Sequence, residues 1–291
     1  MELLKQLNDA FSVCGYEDEI REVVKKYFSK HFNVYVDRLG NVIARKEGKG
    51  KHFVFLAPMD VPGAFLNVQK EEDEFFSTKL SGTFKVTEDC SARTNNGTSG
   101  RFFVDEKRPE HAYYKSEGES VDLPAVAEIS VSFSKDGERV TSRHGALYAL
   151  MKLSEEVCGE DSSFTFVALA QTSLRQRGAY GDIPDGADCY TLIEQYENER
   201  FKLGEGAILC LKDGGYVMPL SLKNCFVRYF ENLLVCDEKP SLAGTLCRQR
   251  GGRRVASVKL PVSGWRTQNE TFSLKDIDGF VELMVDIVKK G

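Results

Sequence analysis

Apolar and polar positions along this chain change rhythm twice. Residues 3–10 and 17–30 follow helical spacing. In EDEIREVVKKYF (17–28), Ile20, Val23, Val24, Tyr27 and Phe28 share one side. Glu17, Asp18 and Glu19 open that segment and Lys25 and Lys26 close it, the order a helix dipole favours. Strand-like NVYVDRLG (33–40) follows, then NVIARK (41–46) after the turn residues Gly40 and Asn41. HFVFLA (52–57) is almost continuously apolar, as expected of a strand covered on both faces.

After Gly63 alternation takes over. From Phe65 to about Val140 the chain is rich in Ser, Thr, Gly and Phe. FKV (84–86), GRFFV (100–104) and EISVSF (128–133) read as strands, with Asn96-Gly97 and Asp136-Gly137 as hairpin turns. No helix is expected there. Helical spacing returns at HGALYALMKLSEEV (144–157). Buried strands FTFVALA (164–170) and CYTLIE (189–194) come next, then AILCL (207–211) behind the turn LGEG (203–206). The pattern predicts a helix over 220–239, a strand at RRVASVKL (253–260) and a closing amphipathic helix over 273–290. Alternating strands and helices imply an α/β domain, residues 1–64 plus 140–291, split by a β-rich insert, 65–139.

Composition narrows the function. The 291 residues are 42% apolar, enough for a sizeable core, and the net charge is −5 with a pI near 5.6. An acidic chain without a concentrated basic footprint argues against nucleic-acid and membrane surfaces. The opening residues carry no apolar core of a signal peptide, and no apolar run is long enough to span a bilayer, so the expected setting is cytoplasmic. Eight cysteines without any Cys-x-x-Cys pair read as reduced thiols, with Cys158 and Cys189 in apolar surroundings. KEEDE (70–74) reads as a solvated hairpin edge. RQRGGRR (248–254) is an exposed turn or an anion-binding patch. Ser142, Thr172 and Ser173 have no histidine in a triad-like setting and read as hydrogen-bonding spacers. The four histidines are His31, His52, His111 and His144, and the plain reading of each is a surface or capping residue.

Several segments, in order and over most of the chain, resemble the M42 family of metallo-aminopeptidases, which includes proteins called cellulase M or endoglucanase M. CGYEDEIREVV (14–24) resembles the family's opening helix and DRLGNVIARKEGKG (37–50) its next turn and strand. LAPMDVPG (56–63) is similar to Ala-His-Met-Asp-Glu-Ile-Gly, and TSRHGALYALMKL (141–153) to the Asp-Asn-Arg-x-Gly helix start. QTSLRQRGA (171–179) resembles Glu-Glu-Val-Gly-x-Arg-Gly-Ala, LGEG the turn Leu-Gly-Lys-Gly, and KLPVSGWR (259–266) Pro-Val-Arg-Tyr-x-His. The resemblance implies a zinc-peptidase-like α/β domain: a central mixed sheet flanked by helices, interrupted by a small β-barrel-like insert. The chain is shorter than usual between about 212 and 252.

The chemistry of that family needs two divalent ions, a bridging carboxylate and a carboxylate base. Carried over residue by residue, the resemblance puts Pro58 at the first ligand position, Thr141 at the bridging carboxylate and Thr172 at the general base. It puts Ser173 at the adjacent ligand, Glu194 at the ligand after the next strand and Arg266 at the final histidine. Proline offers no side-chain donor, and arginine is a permanent cation without a lone pair. Framework neighbours persist: Met59, Asp60, Gly63, Arg143, Gly145, Arg177, Gly178 and Ala179. The expected remnant cleft contains Asp60, Glu194, Arg266, Arg175 and His144. His144 with Glu194 is the only pairing placed to hold a single metal, and Arg266 is expected to pair with Glu194, Asp60 or both. Trp265 is expected at the rim.

Three readings are open. The first is a non-catalytic member of the scaffold (a pseudoenzyme), without catalytic residues, metals or cofactors, acting by binding or assembly. The family's hollow oligomers imply a homo-oligomer, with an active paralogue as another partner. The second is a metal-dependent aminopeptidase with a divergent or single-metal site, using zinc or cobalt. The third is a module binding a peptide or small carboxylate.

Overall fold

The longest apolar runs become the middle of one sheet. The computed structural model describes residues 1–70, 73–81, 86, 90–105, 108–118, 120–235, 241–249 and 252–290. Helices α1 (Glu2–Asp9) and α2 (Asp18–Phe28) lead into strands β1 (Asn33–Val36), β2 (Val42–Lys46) and β3 (His52–Pro58). Asp18 and Glu19 lie in the first turn of α2 and Lys25 and Lys26 in its last, while Ile20, Val24 and Phe28 are buried.

Strands β4 (Gly63–Gln69), β5 (Glu74–Ser81), β6 (Cys90–Thr94), β7 (Ser99–Asp105), β8 (Arg108–Ser116) and β9 (Ala125–Ile129) close a six-stranded barrel in the order β4-β5-β8-β7-β6-β9. Leu66, Phe75, Phe102, Tyr114 and Ala127 fill it. Closure removes the sheet edges that a free six-stranded insert would expose. Asn96 and Gly97 make the β6–β7 turn, with Gly97 at φ +85°. Two expectations fall partly outside the described residues: the strand at 84–86 and the charge run at 70–74. Of the latter, Lys70 and Glu74 form an ion pair.

The hairpin β10 (Ser134–Asp136)–β11 (Arg139–Thr141), turning at Gly137, belongs to the large sheet and not to the barrel. Then come α3 (Gly145–Val157), β12 (Ser163–Leu169), β13 (Cys189–Tyr196), β14 (Ile208–Cys210), β15 (Lys212–Asp213) and β16 (Tyr216–Val217). The chain ends with α4 (Leu220–Phe226), β17 (Asn232–Leu234), α5 (Leu242–Cys247), β18 (Val255–Ser263), β19 (Thr271–Ser273) and α6 (Leu274–Lys290).

The large sheet runs β1-β2-β12-β3-β13-β18-β19-β11-β10, with β14 and β17 branching from β18. The pairs β12–β3, β3–β13 and β13–β18 are parallel, and α3 packs on β3, β13 and α6. This is the mixed, helix-flanked α/β architecture interrupted by a barrel. The helix expected over 220–239 is shorter than its pattern. α4 ends at Phe226, a 3-10 turn follows, and Asn232–Leu234 pair with β14 as a strand. Residues 236–240 lie outside the description. Among the described residues no helix is long and apolar enough to cross a membrane.

Candidate functional site

Parallel strands end together, so β12, β3, β13 and β18 deliver their carboxyl ends to one edge of the sheet. There the chain opens a cleft of about 680 Å³. Pro58, Asp60, Thr172, Ser173, Glu194 and Arg266 all line it. Pro58 closes β3, and the turn after β12 brings Thr172 and Ser173 across from it. Glu194 projects from β13.

Each acid there already has donors. Asp60 Oδ1 accepts the Thr172 N–H and O–H, both at 2.7 Å, and Oδ2 accepts the Ser173 N–H at 2.8 Å. Burial raises the Asp60 pKa, and these donors pull it part of the way back. The cation meeting Glu194 is Lys259, whose ammonium donates to Glu194 Oε2 at 2.6 Å and to Asp213 Oδ2 at 2.7 Å. Burial works against that charge, but Glu194 and Asp213 outweigh it and leave the Lys259 pKa raised.

Arg266 is a second cation near these acids: Glu270, Asp60 and Glu194 all favour its charge against the cost of burial. The register sets Lys259 directly beside Glu194 on the neighbouring strand, while the Arg266 guanidinium lies 4.2 Å from the Trp265 ring centre. The Arg266 N–H donates to Glu270 Oε2 at 2.7 Å, and Gln195 donates to Oε1 at 2.6 Å. Buried Glu270 has its pKa pushed up to about 7 by desolvation, against the pull of those two donors.

Two expected members stand elsewhere. Thr141 is paired along β11 with Thr271, their hydroxyls 3.1 Å apart, and is not among the cleft-lining residues. Arg175 is exposed, and the wall beside it is made by Thr172, Ser173 and Gln176. His144 does reach the cleft wall, with Nε2 3.1 Å from Ser12 Oγ. Burial, then Arg143 and Arg93, push its pKa well down, so the ring is neutral. Of the other histidines, His52 bonds Thr165, and the His111 side chain lies outside the description. Arg253 of the 248–254 run is buried against Ile183 and Asp185, which removes it from any anion-binding surface; residues 250–251 are not described.

Lys259, Asp213, Glu270 and Glu17 were not legible as site residues. The one available signal was a lysine inside the apolar run VASVKLPV, since lysine is rarely buried without a partner. Glu17 is no ordinary first-turn acid. Its Oε1 accepts the N–H groups of Gly15 and Gln171 and so ties α2 to the turn beside the cleft. Cys14, Glu17 and Asp60 bring a thiol and two carboxylates within 4.8 Å of one another, a cation-compatible group that includes none of the six ligand and base positions of the M42 resemblance.

The backbone is strained around this cleft. Among the described residues, His144, Gln171, Arg175, Gln176 and Arg266 are the non-glycine positions with positive φ, and all lie on its wall or in the turn beside it. Left-handed backbone costs an L-residue about 1–2 kcal/mol. Gly178 in the same turn needs its missing Cβ, which would sit 2.1 Å from the Ala170 carbonyl oxygen. Arg175 has φ +51°. Arg175→Gly is expected to hold or raise stability, by up to about 1 kcal/mol in urea unfolding. A loss above that size would mean that the arginine side chain contributes contacts.

No protein-family model matches the chain. A relative from Acetivibrio thermocellus, described as "Putative aminopeptidase", is 23% identical over 99% of this chain and 98% of its own length. An aminopeptidase of Desulfurococcus kamchatkensis superposes with a TM-score of 0.87 at 17% identity, covering 100% of this chain and 94% of that one. The TET1 peptidase of Pyrococcus horikoshii, described as able to assemble into a tetrahedron or a large octahedral shell, gives 0.80 at 18% identity, covering 99% and 98%. The chain thus has the fold of the TET-type aminopeptidases over its whole length.

Proposed function

We propose that the chain is a non-catalytic homologue of the M42-type aminopeptidases, acting in the cytoplasm by binding or by oligomeric assembly. The observation that carries this reading is the donor set of the cleft. A two-metal centre needs several imidazoles and carboxylates aimed at the ions. At the six corresponding positions stand Pro58, Thr141, Thr172, Ser173, Glu194 and Arg266. The single carboxylate among them is held by the Lys259 ammonium, and nearby Asp60 accepts three hydrogen bonds from Thr172 and Ser173. These residues do not fit a pair of divalent ions, and no carboxylate stands at the position of the base.

Assembly is supported by the shells of the Pyrococcus horikoshii peptidase, whose fold this chain shares. A homo-oligomer, or a mixed one with an active paralogue, is the form proposed. Binding is supported by the cleft, whose volume suits a short peptide or small carboxylate. The cytoplasmic setting is supported by the scatter of the eight cysteines along the chain, without a Cys-x-x-Cys pair.

The test is metal analysis of the purified protein, joined to hydrolysis of aminoacyl anilides with added zinc or cobalt. No turnover above background and less than one tightly held ion per chain are expected. Metal-dependent turnover would sink the reading and point to a divergent site, with Cys14, Glu17 and Asp60 the first residues to replace.

A further inference from the structure

In the floor of the cleft, β13 and β18 run parallel with Glu194 and Lys259 as direct register partners, and Asp213 of β15 reaches the same point. The Lys259 Nζ sits 2.6 Å from Glu194 Oε2 and 2.7 Å from Asp213 Oδ2, and the lysine and aspartate side chains are almost wholly buried. Ser257, two residues earlier on β18, donates its hydroxyl to the same Asp213 oxygen at 2.5 Å. Asp213 Oδ1 is buried with no hydrogen-bond partner among the described residues.

Two carboxylates thus share one ammonium, and one acceptor is left over. Two buried acids facing each other without a cation would repel and resist ionisation, so some positive charge is required at this point. A lysine supplies it permanently, on a tether that no chelator removes. It also occupies the space between the two acids in which a metal ion would bind, because its nitrogen lies within hydrogen-bond distance of both.

We infer that the Lys259 ammonium is a built-in substitute for a divalent cation: it neutralises Glu194 and Asp213 and excludes metal from them, and deleting its side chain opens a site for one oxygen-preferring ion. Glu194 Oε2 and both Asp213 oxygens, with water filling the space of the lost butylammonium chain, form the ligand set. An all-oxygen set of this kind suits Mg²⁺ or Mn²⁺. The inference rests on the reading of the cleft given above, and it adds that the site is shut by a specific side chain and not merely short of ligands.

Mn²⁺ is the probe, followed by electron paramagnetic resonance and by thermal melting of the full chain. The wild type is expected to show no Mn²⁺ binding that depends on Glu194 and no shift in melting. Lys259→Ala is expected to melt lower in chelator, to recover several degrees with Mn²⁺, and to bind one ion at least about tenfold more tightly than the wild type. Lys259→Ala/Glu194→Gln should lose that recovery. A folded Lys259→Ala chain indifferent to Mn²⁺ overturns the inference. Should that variant fold only poorly, the wild type decides: Mn²⁺ bound there and lost in Glu194→Gln overturns it equally. Zinc- or cobalt-dependent turnover by the wild type that survives Glu194→Gln would defeat the non-catalytic reading and leave the role of Lys259 standing.

Discussion

Glu128→Ala is expected to lower the unfolding free energy by about 3–5 kcal/mol, the loss typical of removing one partner from a buried ion pair. Glu128 on β9 is fully buried and joins three parts of the chain. Its Oε1 accepts from Arg93 Nε of β6 at 2.8 Å and from Arg143 Nη2, before α3, at 2.9 Å, while Oε2 accepts the Ser12 N–H at 3.3 Å. The two arginines also hold backbone carbonyls at the end of α1: Arg93 reaches Asp9 and Ala10, and Arg143 reaches Asn8. Alanine would leave two guanidinium groups facing each other at the junction of barrel and large sheet. In thermal melting the loss corresponds to a fall on the order of 10 °C for a chain of this size. Glu128→Gln keeps one acceptor and should fall between the two. A Glu128→Ala protein within about 1 kcal/mol of the wild type would show that the junction is held by its apolar contacts alone.

The second large effect is a pH dependence at Glu270. Desolvation raises its pKa from an ordinary 4.5 to about 7, so the folded chain holds this proton where the unfolded chain has released it. For an acid raised in this way, the folded state carries no penalty below about pH 4.5, and stability is lost as pH rises through 7. The full difference is worth about 3 kcal/mol. Glu270→Gln, which cannot ionise, should flatten the pH profile of stability between 5 and 8 relative to the wild type. Glutamine turns an amide towards one of the two donors, Arg266 N–H or Gln195, so the variant is expected to start lower at pH 5 and to converge on the wild type at pH 8. Parallel profiles for the two proteins would place the titration elsewhere. Deep burial, answered by two donors among the described residues, is the cause.

How far the sequence carried the fold is clearest at β3 and α2. A run such as HFVFLA can be accommodated only where both faces are covered, and the acids and lysines of α2 stand where its dipole wants them. Such local signals survive packing because the same forces act in the short segment and in the whole. They failed over 220–239, where the helical pattern continues past Phe226 but the edge of β14 captures Asn232–Leu234. They also missed the return of the β10–β11 hairpin to the large sheet, because β19, the partner of β11, lies far along the chain. Both misses are cases of distant pairing overruling local preference.

At the site the same division holds. That Pro58, Thr172, Ser173 and Arg266 carry no metal-binding carboxylate or imidazole is a property of residue type, and the amino-acid sequence alone determines it. The alternating segments likewise implied a helix-flanked sheet broken by a β insert. Tertiary structure decided which charges meet. Register between β13 and β18 set Lys259 against Glu194, and the turn after β12 aimed three donors at Asp60. The pairing of Thr141 with Thr271 engages the Thr141 hydroxyl along β11, apart from the residues that line the cleft. Strand register and turn closure are settled by contacts between segments far apart in the chain. A lysine in an apolar run therefore announces that it needs a partner, and only the folded sheet names which one.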